Sequence, residues 1–283
     1  GWGMKRAHEV PDTQRMAWFK ALPTVTAGMR YPGTNAKVMV SGHSLSSQPN
    51  LGSNGIIASS LGLSYAYSRQ NNGGATLSFR LYNPAGNMST YLAEVQAANA
   101  SPAPFTHFEV TERHDLLLAI RYEDTVRNLR RWVDSMMLRE PNAIPYFWHC
   151  WQEWARRPSI NEWIAYERAA TFVWEAVTAR VNLTLALEGK QYRIRNAPAQ
   201  KALVDLVDRA INGNVPGITQ SSPAATMSLL FYDSVHPSQP LGDYFIACVH
   251  AAVMYQRSPV GAARPAGVTL QQAQAMQAIA WES

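Results

Sequence analysis

Cysteine is nearly absent: the 283 residues hold 2, Cys150 and Cys248. Two thiols cannot build a disulfide framework or a cysteine zinc site. Each lies in an apolar stretch, so they read as two buried thiols or, at most, one bridge. Long hydrophobic runs are missing too, and none approaches the roughly 20 residues needed to cross a bilayer. Charge is sparse at 16% of residues, with a modest excess of +5. There is no basic run and no Lys/Arg stripe with interleaved aromatics, so a nucleic-acid partner is not expected. His149 and Cys150 adjoin, but no third and fourth ligand stand at zinc spacing, so no metal is expected. The first residues, Gly1-Trp2-Gly3-Met4-Lys5-Arg6, lack the apolar core of a signal peptide. They suit a processed mature end or extra residues ahead of a native Met4, and the expectation leans to a secreted or periplasmic setting. Asn87, Asn99 and Asn182 match the short glycosylation acceptor pattern.

What is present is apolar material for a sizeable core, 47% of the residues. Residues 1–36 carry prolines and little periodicity, and read as an irregular arm with a short helix near Gln14–Leu22. Residues 37–283 read as a single α/β domain. Near-continuous apolar runs predict strands at Lys37–Ser41, Phe105–Val110, Ala143–His149 and Met227–Tyr232, and alternation predicts another at Leu77–Tyr82. Helical spacing predicts helices at Ile56–Leu63, Met88–Ala98, Tyr122–Leu138, Ile160–Leu187, Ala199–Ile211, Leu241–Tyr255 and Thr269–Trp281. Gln70-Asn71-Asn72-Gly73-Gly74 reads as a loop. Strands alternating with helices predict a mostly parallel five-stranded sheet covered on both faces. In such sheets ligands bind beyond the carboxyl ends of the strands.

Two stretches carry the chemistry. In Val38-Met39-Val40-Ser41-Gly42-His43-Ser44-Leu45 an apolar run ends at a glycine and then presents a serine. In Tyr232-Asp233-Ser234-Val235-His236-Pro237 an aspartate and a histidine stand three apart. A serine hydroxyl becomes a useful nucleophile when an imidazole takes its proton, and the imidazole needs a partner to hold its tautomer. Ser44, His236 and Asp233 would supply these three groups. Between them, Thr111-Glu112-Arg113-His114-Asp115 follows a predicted strand and carries four ionisable side chains. A plain reading of that loop is a local ion pair of Arg113 or His114 with Glu112 or Asp115. His43 beside the serine reads as a structural side chain that alternates away from it.

These blocks resemble those of the SGNH, or GDSL-type, hydrolases. Gly42-His43-Ser44-Leu45 resembles the Gly-Asp-Ser-Leu block, with histidine in place of aspartate. Asn83-Pro84-Ala85-Gly86-Asn87 resembles the second block, and Asp233-Ser234-Val235-His236-Pro237 the final Asp-x-x-His-Pro block. The third block departs: the family has Gly-x-Asn-Asp, and here His114 stands where the asparagine would fall. The resemblance implies a flavodoxin-like three-layer α/β/α sandwich and cofactor-free ester chemistry. Ser44 would be the nucleophile, His236 the general base and then acid, and Asp233 its orienter. The backbone N–H groups of Ser44 and Gly86 would donate to the oxyanion. Either a ring N–H of His114 or the fixed charge of Arg113 would stand in for the missing asparagine.

The substrate is less sharply drawn. Tyr146-Phe147-Trp148-His149-Cys150-Trp151-Gln152-Glu153-Trp154 holds three tryptophans with polar residues among them. Aromatic faces flanked by hydrogen-bonding groups suit sugars, although tryptophans at such density also fill cores. Trp148 and Trp154 read as core, and Trp151 as the exposed one, with Gln152 or Glu153 beside it. The predicted loops are rich in Asn, Gln, Ser and Gly, with Arg69 and Arg80 nearby. A short acyl ester of a small molecule or glycan, acetyl first among the acyl groups, is therefore expected, handled by an esterase or an acyltransferase. The broken third block leaves a second reading, a carbohydrate-binding protein on the same scaffold.

Overall fold

The computed structural model describes residues 33–47, 53–83 and 105–283. Most of the expected arm, the helices at Gln14–Leu22 and Met88–Ala98, and Gly86, Asn87 and Asn99 lie outside these residues. Five strands form one parallel sheet in the order β2-β1-β3-β4-β5. They are β1 (Asn35–Gly42), β2 (Ser64–Asn71), β3 (His107–Thr111), β4 (Ile144–Trp148) and β5 (Arg195–Ala197). This is the flavodoxin-like doubly wound order. Helices α1 (Ser44–Ser47) and α2 (Ser53–Ser60) lead from β1 to β2, and α3 (Leu77–Tyr82) follows β2. After β3 come α4 (Leu116–Tyr122) and α5 (Thr125–Arg139); after β4 comes α6 (Ile160–Leu187). The chain closes with α7 (Ala199–Ile211), α8 (Pro223–Leu230), α9 (Leu241–Tyr255) and α10 (Leu270–Glu282).

Strand β1 is central, and its apolar run follows from burial on both faces. On one face Glu109, Tyr146 and Trp148 meet α9: His250 Nε2 lies 2.7 Å from Glu109 Oε2, and Tyr146 O–H donates to Val253 O at 3.3 Å. On the other face Phe147 packs on Trp174 of α6, and α5 lies against β3. Helix α7, at the β5 edge, touches both α6 and α9. Five tryptophans, Trp132, Trp148, Trp151, Trp163 and Trp174, are fully buried in this core. Cys150 and Cys248 are free and buried. Asn182 is buried in α6, bonded to both backbone groups of Ile194 at 2.8 Å, so its acceptor pattern is closed to modification.

Two expected strands are helices. Leu77–Tyr82 is α3, because Thr76 caps it by accepting Phe79 N–H, and Leu77 and Arg80, three apart, face inward. Met227–Tyr232 falls mostly in α8, which Ser222 caps and Pro223 starts. The strands that take their places, β2 and β5, carry few aliphatic residues: Ser-Tyr-Ala-Tyr-Ser-Arg-Gln-Asn lies on a half-exposed edge, and Arg-Asn-Ala is three residues long. The expected Gln70–Gly74 loop therefore begins inside β2. Among the described residues no helix is long and apolar enough to cross a membrane, and no three His, Cys, Asp or Glu side chains cluster as metal ligands.

Candidate active site

The strand order reverses between β1 and β3, so the crevice at their carboxyl ends is the expected ligand site. Ser44 emerges from β1 there and opens α1. The turn is tight at Gly42: a Cβ at that position would lie 1.7 Å from Ser46 Oγ and 3.0 Å from Ser46 Cβ. His43 O receives both the N–H and the hydroxyl of Ser46, each at 3.1 Å, which closes the turn. The His43 ring points away from the serine into the protein. Its Nε2–H donates to Glu112 O at 3.0 Å, and its Nδ1 accepts Leu45 N–H at 3.4 Å. Burial, with nearby Arg80, lowers its pKa to about 3, so it is a neutral strut between the β1 and β3 loops.

Beneath this turn lies a buried polar platform. Arg80 Nε donates to Ser41 Oγ at 3.1 Å, Nη1 to Ala75 O at 2.6 Å, and Nη2 to Thr111 O. Ser41 in turn donates to Gln70 Oε1 at 2.8 Å. The buried Glu112 carboxylate accepts the N–H groups of Leu77 and Arg113 and the hydroxyl of Thr125, each at 2.8 Å. A buried carboxylate is tolerable when its lone pairs are filled in this way and a cation, here Arg80, lies near. Arg80, expected near the polar loops, is thus wholly internal.

The second expected stretch folds back against the first. Residues Phe231–Pro237 form a turn closed by an antiparallel bridge between those two residues. Asp233 Oδ1 accepts the N–H groups of Val235 and His236 at 2.7 and 2.6 Å. Asp233 Oδ2 lies 2.7 Å from His236 Nδ1, and His236 Nε2 lies 2.8 Å from Ser44 Oγ, across 192 residues of sequence. With Nδ1–H donating to the carboxylate, the Nε2 lone pair faces the serine hydroxyl. Partial burial works to raise the Asp233 pKa, but the donors from His236 and Val235 outweigh it and hold the carboxyl below its ordinary value. The side chains of His236 and Asp233 are 21% and 42% exposed, so the pair lines an open face. Tyr232 stacks on the His236 ring at 5.4 Å and 9°.

The loop after β3 is not the local ion pair that its sequence suggests. Asp115 reaches across to the loop after β4, where it accepts from Gln152 Nε2 at 2.8 Å and Arg156 Nη1 at 2.9 Å. Arg156 also binds Glu153, at 2.8 Å. The guanidinium of Arg113 reaches neither acid: its Nε is buried without an acceptor. His114 is half-buried beside His43, with ring centroids 6.5 Å apart, and its Nε2 has no hydrogen-bond partner; Glu153 Oε1 is 3.9 Å away. Burial chiefly lowers its pKa, with Asp115 and Glu153 opposing and Arg156 and Arg113 assisting. Trp151 corrects the sequence reading. It is fully buried, and its indole N–H donates to Val235 O at 2.7 Å. Trp154, read from the sequence as core, packs against the core and is partly buried.

No protein-family model matches the chain, and no curated protein matches it. Among solved structures it is similar to a DUF4886 family protein from Bacteroides uniformis, with a TM-score of 0.58 at 12% identity, covering 88% of this chain and 94% of that one. It is also similar to a candidate GDSL-like lipase from Parabacteroides merdae, with a TM-score of 0.42 at 12% identity, covering 77% of this chain and 96% of that one. At 12% identity the likeness to the Bacteroides protein speaks to the fold alone.

Proposed function

We propose that the protein is a serine esterase of the SGNH type that cleaves a short acyl ester through an acyl-serine intermediate. The observation that carries this reading is the unbroken hydrogen-bonded line Ser44 Oγ–His236–Asp233, at 2.8 and 2.7 Å. His236 Nε2 takes the hydroxyl proton as Ser44 Oγ attacks the ester carbonyl carbon. Asp233 stabilises the imidazolium that forms and keeps it turned towards the serine. The tetrahedral intermediate collapses, the C–O bond to the alcohol breaks, and His236 returns its proton to the departing oxygen. Water, activated by the same nitrogen, then releases the acid and restores Ser44. If a second alcohol replaces water in that last step, the same groups perform acyl transfer.

The oxyanion would be held by the backbone N–H of Ser44, by that of Gly86, and by His114. Burial lowers the His114 pKa, which favours the neutral ring, and its buried Nε2 has no hydrogen-bond partner, so His114 is the third donor in this proposal. Arg113, also without an acid partner, is assigned to the substrate's polar end. Glu153 stands at the same rim, held by Arg156. Burial of Trp151 removes the aromatic platform that suggested a sugar. What remains in favour of an acetylated carbohydrate is the polarity of the loops, which makes it the first substrate class to test. A purely carbohydrate-binding role has less support, because the three side chains of the line are aligned for proton transfer.

Hydrolysis of p-nitrophenyl acetate and of acetylated sugars tests the reading. Ser44→Ala and His236→Ala are expected to abolish turnover, and Asp233→Asn to lower kcat by roughly 10⁴-fold, since it presents the wrong tautomer. Wild-type rates from Ser44→Ala would refute it.

A further inference from the structure

The carbonyls of Asp233, Ser234 and Val235 are all claimed by one short segment of the loop after β4. Trp154 Nε1 donates to Asp233 O at 3.3 Å, Trp154 N–H to Ser234 O at 2.9 Å, and Trp151 Nε1 to Val235 O at 2.7 Å. The donors of the same turn, the N–H groups of Val235 and His236, are taken by Asp233 Oδ1. The turn also closes on itself through Tyr232 N–H to His236 O at 3.1 Å, but the carbonyls of Asp233, Ser234 and Val235 depend on two tryptophans more than 75 residues away in sequence. An indole N–H suits this task, because it donates only and sits at the edge of a large ring that packing immobilises.

The segment is itself tied down. Gln152, between the two tryptophans, gives its N–H to the buried Glu167 carboxylate at 2.7 Å, and its carbonyl accepts Trp163 Nε1 at 2.9 Å. Glu167 is held from its other oxygen by Gln200 at 2.9 Å. A line of hydrogen bonds therefore runs from α6 and α7, through Gln152 and the tryptophans, to the turn that carries His236.

We infer that the segment Trp151–Trp154 sets the register of the Asp233–His236 turn against Ser44, with Trp151 and Trp154 as positioning residues for acyl transfer. The inference rests on the esterase reading above. His236 is joined to Ser44 by a single 2.8 Å contact, and a shift of about 1 Å in a reacting group can cost on the order of 10²-fold in rate. Neither indole need meet the substrate, so the ground-state complex should be unaffected.

Trp→Phe substitutions test this, because they keep an aromatic ring and delete the N–H. Two rates are measured in the full-length protein: p-nitrophenyl acetate turnover, and covalent labelling of the serine by a fluorophosphonate, which needs an activated Ser44 whatever the natural substrate. Thermal unfolding is followed in parallel. Trp151→Phe is expected to lower both kcat and the labelling rate by roughly 10- to 100-fold, with KM within twofold of wild type. Trp154→Phe, whose carbonyl partner water can reach, is expected to lower both by a smaller factor, about threefold to tenfold. Lower thermal stability with wild-type kcat and labelling rate in both variants would overturn the inference and leave the tryptophans as core. A raised KM at constant kcat would overturn it too, placing them at the substrate. If Trp151→Phe fails to fold, Trp154→Phe decides by the same criteria. Ser44→Ala is carried alongside: if it hydrolyses or labels like wild type, the esterase reading falls and takes this inference with it. If it is inert and both Trp→Phe variants match wild type, only the inference falls.

Discussion

A single side chain decides how far this site departs from the pattern it resembles. In the proposed site His114 would take the place of the oxyanion asparagine, and a neutral imidazole offers one N–H donor where a carboxamide offers two. Removing one oxyanion donor typically costs 10²- to 10³-fold in kcat. His114→Ala should therefore lower kcat by about that factor with little change in KM, and His114→Asn should recover part of the loss. Steady-state kinetics of the two variants would decide, and a His114→Ala enzyme at wild-type kcat would remove the residue from the oxyanion site. At this scale the sequence was legible where placement follows residue type and order: Ser44, Asp233 and His236 are named by their motifs and meet in space. It misled where a role depends on exposure. Trp151 and Trp154 are the same residue type three positions apart, and only the course of the loop after β4 buries one fully and the other partly.

At the scale of elements, the strand-to-helix turn after β1 is the part with least tolerance. Gly42 fits because Ser46 Oγ occupies the space of its missing Cβ, with Thr111 Cγ2 behind it at 3.3 Å. Gly42→Ala is expected to destabilise the fold by about 1–3 kcal/mol, as overpacking generally does, and to displace Ser44 from His236. Adding Ser46→Ala removes the nearest clash and should restore part of both. Urea unfolding and turnover of the single and double variants would measure this, and an undisturbed single variant would contradict the described turn. Element boundaries were legible where propensity and burial agree: α6, α7 and α9 run as their apolar spacing predicts. They were not legible at β2 and β5. An edge strand needs little apolar surface, and a strand of three residues is made by pairing with β4 alone.

For the whole molecule, burial of titratable groups sets the response to pH. His43, His107 and His149 are pushed by burial to pKa values of about 3, well below the ordinary imidazole value of about 6.5. The unfolded chain therefore binds more protons than the folded one between those values. Stability from these groups is full above pH ~6.5 and is lost as pH falls towards 3. Glu167 acts in the opposite sense: burial raises it to about 7, so its contribution is greatest below its unfolded value and declines as pH rises through 7. Urea unfolding between pH 4 and 8 should show stability falling on the acid side. His149→Phe keeps a ring against Trp174 and should flatten that limb by one proton, roughly 1.4 kcal/mol per pH unit. An unchanged slope would mean that His149 is protonated in the fold.

The amino-acid sequence alone determined the alternation of strands and helices, the glycine-to-serine turn after a buried strand, and the pairing of an aspartate with a histidine three residues on. These are local properties: hydrophobic period, a glycine where a Cβ has no room, and residue types whose chemistry is particular. The tertiary structure alone decided that helices stand at Leu77–Tyr82 and over most of Met227–Tyr232, that Arg80 and Glu112 are internal, and that Trp151 and Trp154 donate to the carbonyls of the histidine turn. Those outcomes depend on which surfaces meet across long separations in the chain. Burial and hydrogen-bond satisfaction belong to that meeting and not to any one segment.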